Sequence, residues 1–323
     1  MGLARSSRLV MALLAMTVFG AQAQSNYPSR PVRIVVPYAP GGGTDINARN
    51  IAPKLQERWG QTVVVDNRPG GNAMIGADIV AKATPDGYTV LLSASSEMVT
   101  NVSLFKRIPY DPVKDFEPVT LASSSPLVIT AHPTTGVTSV KELIAVASQR
   151  KYSYASVGTA SPQHLAGEWL KNLAKIQMVH IPFKGAGPAM NDNLGGHVPI
   201  AFLSLPPVVP HAKAGRLNAL AVTSGERAPA LPDVPTLMAS GFPAIELVQW
   251  WGVFLPARTP RILIDKLNKD MNIVFNLPDV KERLAAAGTD VLATSTPAQF
   301  AQFVRSEIDK NRKLIQVAGV KAE

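Results

Sequence analysis

Short runs of β-branched residues alternate along this chain with amphipathic stretches of helical period, and that alternation sets its fold class. Val32-Arg33-Ile34-Val35-Val36 reads as a strand. A loop over residues 37–43 follows, and residues 45–59 then place Ala48, Ile51, Ala52, Leu55 and Trp59 on one helical face before Gly60 ends it. Pro53 inside that stretch predicts a kink or a break. Residues 63–65 form a second strand, 73–83 a second helix and 88–92 a third strand, which calls for a parallel sheet with right-handed crossovers. The same grammar restarts with strands at 127–130, 152–154, 178–181, 200–203 and 217–222, interleaved with helices at 139–148, 163–173 and 188–194. Helices at 262–275, 278–286 and 297–318 and a short strand around Val291-Leu292 close the chain. Two units of similar grammar point to two α/β lobes rather than one long sheet, each a mostly parallel sheet flanked by helices. The chain is expected to cross between them at 121–125 and 246–251, giving one lobe from 24–123 with 251–323 and a second from 124–250.

The N-terminus is set apart from the fold. Arg5 and Arg8 precede an apolar run over 9–20, and Ala21-Gln22-Ala23 offers small residues at the −3 and −1 positions before Gln24. This is the pattern of a secretory signal peptide over 1–23, cleaved after Ala23, and it predicts a soluble periplasmic protein. With no cysteine, the mature chain has no disulfide framework and no thiolate chemistry. Formal net charge is +9, or +7 once Arg5 and Arg8 leave with the signal. The cations are scattered and not interleaved with aromatics, which suits a small anion better than nucleic acid. The five histidines (132, 164, 180, 197 and 211) form no His-x-x-x-His pair, so neither a metal nor a cofactor is implied.

Two strand-to-helix loops stand out. Pro40-Gly41-Gly42-Gly43-Thr44-Asp45 lies at the carboxyl end of the first strand, where open α/β sheets bind ligands. Its glycines admit close approach, and its amides with those of the helix start suit a carboxylate or phosphate; Thr44 can cap the helix and Asp45 sits in its first turn. A tight turn with no ligand is the alternative. Ser156-Val157-Gly158-Thr159-Ala160-Ser161-Pro162-Gln163-His164 repeats the arrangement in the second unit, and two such helix starts facing across a cleft can close on one anion. Ser161 and His164 also allow a secreted hydrolase, although no Gly-x-Ser-x-Gly elbow or orienting acid accompanies them. Tyr38 and Trp250-Trp251 are either cleft walls or core, and Lys184 either faces an anionic ligand or is simply exposed.

At the level of motifs the chain resembles the substrate-binding proteins of tripartite tricarboxylate transporters, the Bug proteins. The resemblance runs through Tyr27-Pro28, Pro40-Gly41-Gly42-Gly43-Thr44-Asp45, Asn67-Arg68-Pro69-Gly70-Gly71, Pro85-Asp86-Gly87-Tyr88, Pro109-Tyr110-Asp111-Pro112, His164-Leu165-Ala166-Gly167-Glu168, Pro182-Phe183-Lys184-Gly185 and Leu231-Pro232-Asp233-Val234-Pro235-Thr236. It implies a two-lobed type II-like periplasmic binding fold. It also implies that the protein is not an enzyme and captures a small organic carboxylate for a membrane permease, with a monomer as the default. Carried over, the ligand's carboxylate falls to Gly41, Gly42, Gly43, Thr44 and Asp45 and to Ser156, Gly158, Ser161 and His164. Tyr38, Pro40, Ser95, Ser96, Thr159, Lys184, Leu203, Ser204 and Trp250 complete the expected site. The chain departs from the family pattern at Leu203-Ser204, at Met98 ahead of Asn101, and at Ala160 where many relatives have glycine. Those changes make the distal pocket less polar and point to an aromatic or longer aliphatic carboxylate.

Overall fold

The computed structural model describes residues 27–243, 247–318 and 320. The expected signal segment with its expected cleavage site, and Glu246 at the second expected crossing, lie outside the described residues. The strands are β1 (Val32–Val36), β2 (Val63–Asn67), β3 (Thr89–Ala94), β4 (Phe116–Ala131), β5 (Tyr152–Ser156), β6 (Met178–Pro182), β7 (Ile200–Ser204), β8 (Asn218–Val222), β9 (Val248–Pro256) and β10 (Asp290–Val291). Their order is β2-β1-β3-β9-β4-β7-β5-β6, with β8 and β10 each paired to β4. β1 is parallel to β2 and β3, and β5 is parallel to β6 and β7. The remaining pairings run antiparallel, so each half of the sheet is mixed.

β4 joins the halves by changing partners. Phe116 to Pro126 pairs with β9, and Leu127 to Ala131 pairs with β7 and β8. Only its last stretch was expected as strand, because Ser123-Ser124-Ser125-Pro126 reads locally as a turn. Tertiary partners override that preference: Ser123 Oγ donates to Asn47 Oδ1 at 2.8 Å and Ser125 Oγ donates to the Gly288 carbonyl at 2.7 Å. β9 likewise replaces what was expected as a bare crossing.

The helices are α1 (Gly43–Trp59), α2 (Met74–Ala81), α3 (Asn101–Leu104), α4 (Val140–Ala147), α5 (Pro162–Ala174), α6 (Ala186–Leu194), α7 (Leu205–Lys213), α8 (Arg261–Phe275), α9 (Pro278–Ala286) and α10 (Pro297–Ala318). α1 buries Ala48, Ile51, Ala52 and Leu55 and ends at Gly60, whose φ of 62° is left-handed. It runs through Pro53 without a break. Pro53 and Arg49 are both exposed, so the Arg49 carbonyl that loses its helical donor faces water. α7 was missed because Pro206, Pro207 and Pro210 argue against a helix, yet the first two occupy its first turn, where the missing N–H groups are unpaired anyway.

Two main cores lie on either side of the β4 switch. One packs Ile34, Ile51, Leu55, Leu92, Leu267 and Phe275. The other packs Leu127, Ile129, Tyr154, Leu170 and Phe202. The fold is a mixed α/β arrangement in two halves, and the carboxyl ends of β1, β3, β5 and β7 converge on the space between them.

Candidate functional site

The first loop is held from its side by a buried carboxylate. Asp45 accepts hydrogen bonds from the Gly41 amide at 3.0 Å, from Asn67 Nδ2 at 3.0 Å and from Arg49 Nε at 2.9 Å. Asn67 Nδ2 also donates to the Tyr38 carbonyl at 3.0 Å. Burial opposes ionisation of Asp45, but the bonds from Arg49, Gly41 and Asn67 outweigh it and hold the carboxyl below its usual range. Asp45 therefore shapes the loop and is absent from the cavity wall. Thr44 does not cap α1 as expected: its Oγ1 accepts from Trp251 Nε1 at 2.9 Å. Gly42 takes the cap position and contributes no side-chain bond. The first amides of α1 are thus left without a side-chain acceptor where Gly42, Gly43 and Thr44 line the cavity.

The second loop is satisfied internally. Ser161 Oγ donates to the Gly158 carbonyl at 2.7 Å and accepts from the His164 amide at 3.1 Å, capping α5. His164 Nδ1 accepts from the Ala160 amide at 3.2 Å. Ser156 Oγ lies 2.7 Å from His180 Nε2, and the two imidazoles stack with centroids 3.9 Å apart. Burial pushes His164 down to about 4 and His180 down to about 3, so both rings are neutral at ordinary pH. The hydrolase reading fails on this geometry. The Ser161 hydroxyl is committed to the cap and the His164 ring to the loop backbone, so no nucleophile–base contact exists between them.

Between the loops is a cavity of about 20 Å³ walled by both halves of the sheet. Tyr38, Gly42, Gly43, Thr44 and Ala94 come from one side, Val157, Gln163, Ala186 and Ser204 from the other, and Gln249 and Trp251 from β9. A wider pocket of about 400 Å³ adjoins it and shares Tyr38 and Val157 with it. Thr159 and Lys184 line that pocket rather than the cavity. The halves touch directly beside it, where the Ala39 amide donates to the Lys184 carbonyl at 3.1 Å.

Several expected residues lie elsewhere. Trp250 and Trp251 point to opposite faces of β9, as strand alternation requires. Trp250 packs on Phe300 and Phe303 and donates to Glu307 at 3.2 Å, so Trp251 is the cavity wall. Leu203 is core, Ser95 accepts from Gln249 Nε2 at 2.9 Å, and Ser96 is buried behind the cavity. Pro40 and Gly41 sit on the exposed outer edge of the first loop.

Sequence reading missed Gln163, Gln249 and the fully buried Glu97. Glu97 accepts from Tyr38 Oη at 2.7 Å, Ser93 Oγ at 2.9 Å and the Ala94 amide at 2.7 Å. Burial outweighs those donors and raises its carboxyl to about 7. Gln163 was within reach of sequence, since it directly follows Pro162 in a loop already singled out.

Comparison with known proteins agrees with this architecture. The family model described as tripartite tricarboxylate transporter family receptor matches residues 47–320. A UPF0065 protein from the tcbD-tcbE intergenic region of Pseudomonas sp. (strain P51) is 39% identical over 94% of this chain and 91% of its own length. BugT of Bordetella pertussis is 38% identical over 91% of each chain. The solved periplasmic binding protein BugD superposes with a TM-score of 0.88 at 35% identity, covering 92% of this chain and all (100%) of its own. An R. palustris protein solved with adipate gives 0.87 at 33% identity over 91% of this chain and 98% of its own. MatC from Rhodopseudomonas palustris, solved with malate, gives 0.84 at 30% identity over 90% of this chain and 100% of its own. With the motifs, the fold and the paired loops in agreement, the chain belongs to the tripartite tricarboxylate transporter receptor family and is a solute-binding protein, not an enzyme.

Proposed function

We propose that the mature chain, cleaved after Ala23 and periplasmic, acts as a monomer that closes two lobes over the carboxylate of a small organic acid. The lobes are 24–123 with 251–323, and 124–250, and β4 and β9 are the strands that flex between them. The closed form is what a tripartite-type permease recognises. One observation carries this reading: the uncapped first turn of α1 opens onto a cavity that only both halves together enclose. Free N–H groups at a helix start favour an anion, and a site completed only on closure couples binding to lobe movement. Adipate and malate, the ligands of two solved relatives, are both carboxylates. Beside the amides the walls are largely apolar, with Ala94, Val157, Ala186 and the Trp251 indole, which suits an aromatic or longer aliphatic acid.

A thermal-shift and calorimetric screen of mature protein against mono- and dicarboxylates, aromatic acids included, tests this. A ligand bound only by the folded state raises the melting temperature with log concentration. Binding should vanish in Gly42→Leu, because even a Cβ there meets Ala186 Cβ at 3.3 Å. Undiminished affinity in that variant would remove the first loop from the site.

A further inference from the structure

One polar atom of a cavity-lining residue is oriented by its neighbours and then left unpaired. Gln249 Nε2 is 2.8 Å from the Trp250 carbonyl, which can only accept, so this end of the Gln249 amide is nitrogen. The same nitrogen donates to Ser95 Oγ at 2.9 Å. Gln249 Oε1 is therefore an acceptor, and it faces the Gln163 amide nitrogen at 3.5 Å. A flipped Gln163 would set two carbonyl oxygens against each other. Gln163 consequently turns its Oε1 away from Gln249, and that oxygen has no hydrogen-bond partner although the residue is only 2% exposed and lines the cavity.

A buried acceptor without a donor is unfavourable, and a bound group that supplies the donor removes the penalty.

We infer that this site selects a carboxylate that carries a further hydrogen-bond donor, a hydroxyl or an amide N–H, received by Oε1 of Gln163. The inference rests on the carboxylate-receptor reading and narrows its ligand class.

The test is calorimetry on mature protein with two matched series. One is hexanoate, its α-hydroxy and ω-hydroxy acids, adipate and adipate monoamide. The other is benzoate, para-hydroxybenzoate, terephthalate and terephthalate monoamide. In at least one series a donor-bearing acid should bind about tenfold more tightly than both the plain acid and the diacid. Gln163→Leu, or Gln163→Met if leucine disturbs folding, should erase that preference, so that the donor-bearing acid and the plain acid bind alike. A diacid that binds tightest overturns the inference, as does a preference that survives both substitutions. A plain acid that binds as well as its donor-bearing relatives overturns this inference alone, whereas a flat response to every acid overturns the carboxylate reading with it.

Discussion

The loops after β1 and β5 occupy equivalent places, each at the carboxyl end of a parallel strand and each opening a helix, yet their hydrogen bonding differs. In the first, the cap position is Gly42 and Thr44 is turned to Trp251, and Asp45 ties Gly41, Asn67 and Arg49 together while the helix amides stay without a side-chain acceptor. In the second, Ser161 consumes the cap and His164 takes the Ala160 amide. On the proposed reading, one loop gives donors to a ligand and the other holds its own shape while presenting Gln163. Similar sequence grammar does not make two helix starts equivalent; a capping side chain is present at one and absent at the other.

The sharpest way to break this contrast is Gly43→Ala. Alanine is the better helix former, so helix propensity alone predicts a gain in stability. A methyl at this position, however, overlaps the Trp251 indole and comes 3.2 Å from Ser204 Oγ. Overpacking of this kind should lower ligand affinity about a hundredfold while the protein still folds, measured by calorimetry with the best acid from the screen. Unchanged affinity would mean that the first loop is not a wall of the site. Next in size is Asp45→Ala set against Ser161→Ala. Loss of the Asp45 brace should cost about tenfold in affinity, since free amides are of use only when the loop holds them in place. Ser161→Ala should instead cost about 1 kcal/mol of stability, as caps do, with little change in affinity. The reverse pattern would exchange the roles assigned to the two loops.

The two sides also titrate in opposite senses. The first half buries Glu97, whose folded carboxyl is raised from 4.5 to about 7. Between those values the folded chain keeps a proton that the unfolded chain releases, so the contribution of Glu97 to stability falls as pH rises through that window. The second half buries His164 and His180, lowered from 6.5 to about 4 and about 3. As pH falls below 6.5 the unfolded chain takes up protons that the folded imidazoles refuse, so the contribution of the two histidines falls toward acid, opposing that of Glu97 where the windows overlap. A melting temperature followed from pH 3 to 8 tests both arms. Glu97→Gln should flatten the rise-side loss and His180→Asn the acid-side loss. If neither substitution changes the profile, the buried groups are not what sets it.

Regular units were legible in the sequence because β-branched runs and helical apolar faces report local structure directly, as in β1 and α1. β4 was legible only from Leu127 onward, since its serine run is stabilised by Asn47 and Gly288, far away in sequence. The same holds for the site. Both loops announce themselves through glycine and hydroxyl residues between strand and helix. Trp251 could not be told from Trp250 without knowing that β9 is a strand and which face it buries. Glu97 gave no signal, because a lone glutamate beyond β3 reads as a solvated residue until Tyr38, Ser93 and Ala94 are folded around it. Gln163 and Gln249 are neutral and common, and their meaning lies in the chain of donors that orients them.

The smallest effect separates backbone strain from function in the second loop. Ala160 is fully buried with φ at 66°, a left-handed conformation that costs a non-glycine residue about 1–2 kcal/mol. Ala160→Gly removes that strain. It also loses a packed methyl, worth about 0.8 kcal/mol, and gains chain entropy in the unfolded state, worth about 0.5–1 kcal/mol. The contributions nearly cancel, so denaturant unfolding should shift by less than about 1 kcal/mol in either direction. Affinity should not change, because Ala160 contributes only its amide, to His164, and that bond survives the substitution. A marked gain in affinity would instead show that strain in this loop holds the site away from its best geometry, and that the second loop does more than keep its own shape.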